Sequence, residues 1–229
     1  MISLFFSALI YASLALCVLL SYRVAKVVNL SFGSIFTVGG YLSVFSLFIT
    51  PIFGAWIGLL LHIGSKRMDA SKATIFSLGI AIAIEEALRI LFRVENILLD
   101  SRIFYFFGYK LVFEHFLASM ISATFLILFL AFELKKPFSR LKLKVIEEDL
   151  ENAELYGIDV EKARAIVLVI SSAFFCSIGG LYLSGRVISP TIGWLYMIFS
   201  LFIATIANVF REKAYILILP ISFGVCWLI

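Results

Sequence analysis

The chain has 229 residues, is 62% hydrophobic and only 15% charged, and has a mean hydropathy of +1.09. That composition excludes a soluble domain and defines a polytopic membrane protein. A formal net charge of +4 and a pI near 9.0 would also suit a nucleic-acid binder, but the basic residues flank apolar runs, so inside-facing loops account for them. No nucleic-acid role is read.

Backbone groups in lipid must be satisfied internally, and long apolar runs without strict alternation select helices over barrel strands. About eight runs qualify as transmembrane or partly re-entrant helices, at roughly 3–21, 34–49, 52–64, 74–92, 113–132, 163–183, 193–209 and 214–229. They make one all-α domain over residues 1–229. The first run lacks a basic leader and a small-x-small cleavage site, so it reads as a retained span. Cys17, Cys176 and Cys226 sit in apolar surroundings without paired spacing and read as small core hydrophobes, not metal ligands or a disulfide framework.

Asn29, Ser31, Ser34 and Thr37 form a polar cluster at the start of the second run. Two readings stand side by side: a helix start satisfied by these side chains, or the polar lining of a translocation path. The second and third runs are short, and Pro51 between them implies a tight hairpin or a broken, re-entrant element. Small residues recur where helices must approach closely: Gly33, Gly39, Gly40, Gly54, Gly58, Gly179 and Gly180.

The fourth run, SLGIAIAIEEALRILF, carries Glu85 and Glu86, and a carboxylate at the bilayer centre costs about 2.5–3.5 kcal/mol on insertion scales. Arg89 lies four residues after one and three after the other, which offers an intrahelical pair. The alternative has one of the acids lining the path and meeting an amino group of the solute. Between Arg93 and Phe113, the aromatics Phe104, Tyr105, Phe106, Phe107 and Tyr109 around Gly108 read as an interfacial belt or as a docking surface. His62 and His115 sit at the ends of runs and read as interfacial.

The stretch Lys144 to Leu183 passes without a linker from a charged amphipathic segment into a spanning run. Val145, Leu150, Ala153 and Leu155 form a weakly apolar stripe among Glu147, Glu148, Asp149, Glu151 and Glu154. Gly157 offers the positive φ that stops a helix, and Asp159 stands where it would N-cap the next one. The result is a rigid handle outside the membrane. Pro190 and Gly193 in SGRVISPTIGW shape a turn before the next run.

Placing the loops 22–33, 65–73, 133–162 and 210–213 on one side collects fourteen Lys and Arg there against five opposite, which makes that side cytoplasmic. The handle then faces the compartment that holds ATP. The sequence carries no phosphate-binding loop, HExxH or GxSxG, and its His and Cys are too few and scattered for a metal site. No catalytic residue and no cofactor is expected, so energy for uphill work has to come from another chain.

Two blocks resemble permease subunits of branched-chain amino acid ABC importers, the Leu/Ile/Val type. Asn29, Ser31 and Gly33, followed by Gly39 or Gly40, match that family's Asn-x-(Ala/Ser)-x-Gly element and Gly-rich span. Glu148, Asp149, Ala153, Gly157, Ile158, Gly179 and Gly180 match its acidic pair, Ala, Gly-Ile and small-residue span. Ser77-Leu78-Gly79 is similar to a further family element, with Glu85 or Glu86 where members often have Gln.

The resemblance implies a transport subunit, not an enzyme, in the cell membrane, with a cytoplasmic coupling loop at about 133–162 that holds a coupling helix. Glu148, Asp149, Ala153, Gly157 and Ile158 would couple to the ATPase, and Asn29, Ser31, Gly33, Glu85 and Glu86 would line the path. The implied partners are cytoplasmic ATP-binding subunits, a second permease subunit, identical or not, and an extracytoplasmic solute-binding protein. The final IATIANVFREKAYILILP lacks the family's Gly-rich segment. A non-transporting scaffold or regulatory subunit is therefore the rival reading, and a short amide or urea an alternative solute.

Overall fold

A computed structural model describes residues 2–66, 68–92, 97–99, 101–106, 109–135, 144–147, 150–210 and 214–228. The helices are α1 (Ile2–Ala25), α2 (Phe32–Ser43), α3 (Ile49–Ser65), α4 (Ala70–Phe92), α5 (Phe113–Lys135), α6 (Leu150–Leu155), α7 (Val160–Tyr182), α8 (Gly193–Val209) and α9 (Ala214–Leu228). Residues 144–147 are helical as well. The eight longer helices fall on the eight apolar runs, and the fold is all-α, as expected of a polytopic permease. Among the described residues, Leu4–Ala25, Phe113–Phe132 and Val160–Tyr182 are long and apolar enough to cross a membrane.

Four short strands were not expected. β1 (Ile97–Leu98) pairs antiparallel with β4 (Val187–Ile188), and β2 (Ile103–Phe106) pairs antiparallel with β3 (Tyr109–Val112), Phe106 opposite Tyr109. Aromatic and β-branched residues suit such pairing, and the partners of β1 and β4 are too far apart in sequence for a local pattern to reveal them. The side chains of Phe104, Tyr105, Phe106 and Tyr109, and all of Phe107 and Gly108, lie outside the described residues, so the aromatic readings of this connection are not addressed.

α7 is the central element, packed between α2 and α3, while α1 packs on α5, α7, α8 and α9. Lipid tails supply no hydrophobic drive for helix association, so close backbone packing has to hold the pairs together. A Cβ built on Gly39 would meet the Cys176 carbonyl oxygen of α7, and one on Gly179 would meet the Phe36 carbonyl of α2. Nearer the start of α7, Gly54 and Gly58 of α3 face the Ser172 and Leu168 carbonyls, where a Cβ would come to 2.6 and 2.7 Å. The expected small-residue seams are thus α2–α7 and α3–α7.

Aromatic rings fill the space beside the seams. Phe32 stacks on Phe175 with centroids 4.5 Å apart, and Phe36 lies 4.7 Å from Tyr196. α2 and α3 form the hairpin expected around Pro51, but the turn is at 44–48 and Pro51 sits in the first turn of α3, where its missing N–H costs no helical bond. At about 1.5 Å per residue, the 12 residues of α2 extend only about 18 Å, short of the roughly 30 Å hydrocarbon core. Cys17 and Cys176 are buried in the apolar core.

These seams predict that Gly54→Val will lower stability by about 1–3 kcal/mol, the usual range for forced overpacking. Gly224→Ala, where a Cβ meets nothing within 4 Å, should leave it unchanged. Thermal unfolding midpoints in detergent check the pair.

Candidate functional site

The start of α2 is built from the polar cluster seen in the sequence. Asn29 Oδ1 accepts from the Ser31 backbone N–H at 3.1 Å and from Ser31 Oγ at 2.7 Å. The buried Nδ2 of Asn29 has no partner among the described residues. Leu30 N–H donates to Ser77 Oγ of α4 at 3.0 Å, which ties the helix start to α4. Ser77, picked out in the sequence with Gly79, therefore has a definite structural task.

One helical turn further on, Ser34 Oγ donates to Glu85 Oε1 at 3.1 Å. Trp194 Nε1 of α8 donates to the same oxygen. Glu85 is 8% exposed, so its carboxylate is held inside the bundle by donors from two other helices. Both donors stand in first turns, Ser34 in α2 and Trp194 in α8, and the partial positive charge of a helix N-terminus favours an anion there.

The two helix starts touch. A Cβ on Gly33 would come within 3.1 Å of the Gly193 carbonyl oxygen, and one on Gly193 would collide with the Gly33 carbonyl. Thr37 Oγ1 closes the joint by accepting from Gly193 N–H at 3.0 Å while donating to the Gly33 carbonyl at 3.2 Å. The cluster thus builds the helix start, and one of its members, Ser34, also donates to a buried acid.

Asn29, Ser31 and Gly33 stand at the start of α2, where Ser34 reaches Glu85, and Glu86 is on another face of α4. Glu86 points away and pairs with Arg89 at 3.3 Å, the two side chains 55% and 52% exposed. The intrahelical ion pair therefore belongs to Glu86, while Glu85 turns inward. Gly193 and Trp194, read in the sequence only as part of a turn, are members of the site. A signal for them existed: Ser189, Thr191 and Gly193 repeat the spacing of Asn29, Ser31 and Gly33.

The handle is the second cluster. Gly157 has φ +72° and ends α6, with its N–H bonded to the Glu154 carbonyl at 2.9 Å and Ile158 N–H bonded to the Ala153 carbonyl at 3.0 Å. This is the two-bond glycine stop of a Schellman motif. Asp159 then caps α7 by accepting from Lys162 N–H at 3.0 Å. The expected stop and cap are both present.

The apolar stripe differs from the expected one. Ala153, Ile146 and Val160 are buried against Val24 of α1, with Val145 and Ile158 alongside, whereas Leu155 is 84% and Tyr156 77% exposed. α6 has only six residues, so its last side chains swing past the buried face before the chain turns. Glu148 and Asp149 lie outside the described residues.

A polar network missed in the sequence fastens the handle to the bundle. Arg23, at the end of α1, donates to Asn208 Oδ1 at 3.0 Å and to Glu147 Oε2 at 3.4 Å, and lies over the Tyr215 ring at 5.0 Å. Tyr215 Oη donates to the other Glu147 oxygen, and Lys26 Nζ donates to the Glu147 carbonyl. Lys66 of α3 pairs with Glu161 of α7 at 2.7 Å at the same end of the bundle. Arg23 was the available signal, a lone charge closing a long apolar run.

A helical bundle joined by glycine seams, with a buried acid at crossing helix starts and a braced handle outside the apolar runs, is an all-α membrane protein of the permease type. Residues 1–217 match the family described as branched-chain amino acid transport system, permease component, and the chain belongs to it. No curated protein and no solved structure matched in the other two comparisons.

Glu85→Leu leaves Ser34 Oγ and Trp194 Nε1 without an acceptor and should cost about 1–3 kcal/mol, while Glu85→Gln keeps an acceptor and should stay near wild type. Unfolding midpoints check this, and an unchanged Leu variant would exclude the network. A second expectation concerns pH. The side-chain bond from Lys162, and then its backbone N–H, hold the Asp159 carboxyl below the usual carboxylate range. A depressed folded value means that the cap contributes at neutral pH and is lost as the pH falls through that value, below about pH 4. Amide protection at 160–163, corrected for the intrinsic exchange rate, should fall there in the wild type, and at every pH in Asp159→Ala.

Proposed function

We propose that the chain is the multi-pass subunit of an ABC importer in the cell membrane, moving branched-chain or related amino acids inward. Energy comes from separate cytoplasmic ATP-binding subunits that dock on the handle, and an extracytoplasmic binding protein delivers the solute. The excess of Lys and Arg in the loops at the handle end supports that sidedness. The carrying observation is the brace around Glu147, because a push on the handle reaches α1, α8 and α9 through it.

In this reading Gly157 fixes the angle of the handle, Ala153 and Ile158 seat it, and Glu148 and Asp149, which precede it in the sequence, take part in coupling to the ATPase. The exposed Leu155 and Tyr156 make the contact with the ATPase. Asn29, Ser31, Gly33 and Glu85 line the path, with Glu85 facing the ammonium group of the solute. Rigid-body rocking of the helices around the Gly33–Gly193 joint then alternates access.

Reconstitution with the cognate ATPase and binding protein should give ATP-dependent uptake of labelled Leu, Ile or Val. ATPase binding without uptake would instead favour a scaffold. Gly157→Val should insert normally yet uncouple hydrolysis from uptake, and Leu155→Ala with Tyr156→Ala should weaken ATPase co-purification several-fold. Wild-type uptake in both variants would overturn the handle's role.

A further inference from the structure

The ionisable residues of α3 and α7 stand only at the end of the bundle that carries the handle. Residues 49–61 and 165–183 hold no charged side chain, and the chain leaves these apolar stretches at His62 and Lys66 on one side and at Arg164 and Glu161 on the other. Along the seam Gly54 faces Ser172 and Gly58 faces Leu168, so one turn further His62 comes opposite Arg164. The next turn brings Lys66 to Glu161, at 2.7 Å.

The charges at this mouth do not balance. Lys66 is taken by Glu161, and Asp159, the other acid beside them in the sequence, by Lys162 at 2.8 Å. Arg164 has no hydrogen bond and no ion pair among the described residues, and its Nε is buried. The His62 ring makes no hydrogen bond among them either, although the charges of Glu161, Arg164 and Lys66 act on it. A guanidinium partly withdrawn from water needs an anion, and its five N–H groups need acceptors. The counter-ion that fits is an oxyanion reaching this level from outside the chain.

We propose that the mouth of the α3–α7 seam binds the phosphate of an anionic phospholipid, with Arg164 and His62 as donors. The proposal rests on the sidedness given above only for placing that lipid in the inner leaflet. Depth selects the ligand: both apolar runs end here, which is the level of the headgroups, and lipid phosphate is the anion held at that level. The rim on α3 is apolar. Leu59 and Ile63, 44% and 61% exposed, lie about 60° and 100° around the helix from His62 and give an acyl chain a surface to follow. With Lys66 and Glu161 cancelling, Arg164 leaves one positive charge, which suits a headgroup of net negative charge and not one that brings its own cation. Arg164 follows the Asp159 cap by little more than one turn, so the bound lipid braces the start of α7, and with it the joint of the handle, against α3.

The test titrates the full chain, purified in detergent and freed of native lipid, with phosphatidylglycerol or phosphatidylcholine and counts bound lipid by native mass spectrometry. The wild type should bind one phosphatidylglycerol several-fold more tightly than phosphatidylcholine. Arg164→Gln should abolish that preference and His62→Gln should reduce it several-fold, while Arg186→Gln, beyond the other end of α7, should leave it intact. Should Arg164→Gln fail to fold, His62→Gln carries the comparison alone. Equal binding of the two lipids, or an unchanged preference in the Arg164 and His62 variants, would overturn the proposal. Excess inorganic phosphate should leave the lipid in place, and its displacement would mark a free-phosphate site and overturn the lipid assignment. These measurements need neither the ATPase nor uptake, so failure of the transport reading would be seen separately.

Discussion

A carboxylate inside an apolar bundle has to be given donors, and the rest of the architecture follows from how Glu85 gets them. Its neighbours on α4 cannot supply them, because the nearby base, Arg89, turns to the other face with Glu86. The donors come instead from Ser34 and Trp194, on two helices that begin beside the acid. For both starts to reach one oxygen, their backbones have to cross almost in contact, which a side chain at Gly33 or Gly193 would prevent. The glycine crossing and the buried acid are thus one structural requirement.

The same logic governs the other end of the bundle. A short helix of six residues has little stability of its own, and α6 is held by burial of Ala153 and Ile146 against Val24 and by the ring of groups around Glu147. Arg23 is the pivot of that ring, since it touches an acid, an amide and an aromatic face from three different segments. The Gly157 stop and Asp159 cap leave only the four residues 156–159 between α6 and α7, so the handle is set at a fixed angle to the central helix.

Features written in short stretches could be read from the chain. The apolar runs gave the helices, and the Gly157–Asp159 punctuation gave the joint, because each depends only on residues within a turn or two. The division of labour between Glu85 and Glu86 could not be read the same way. Adjacent residues on a helix point about 100° apart, and only the position of α2 and α8 decides which of the two is inward. A stripe that runs on through Leu155 assumes a longer helix than the six residues of α6. Glu147, lying in a run of acids, had nothing local to distinguish it until Arg23, Tyr215 and Asn208 closed around it.

α8 joins the two clusters. Its first turn holds Trp194 on Glu85, and its last holds Asn208 on Arg23, about 20 Å away along one uninterrupted helix. A packed helix transmits a displacement along its axis with little loss, because its interior is close-packed and resists compression. Under the proposed role, a tilt of the handle that drags Arg23 and Asn208 has to move Trp194 as well, and Trp194 cannot move without changing the donors around Glu85. Neither cluster needs a flexible element for this. At the crossing of Gly33 and Gly193 the backbones of α8 and α2 meet directly, and the Thr37 hydroxyl bridges them.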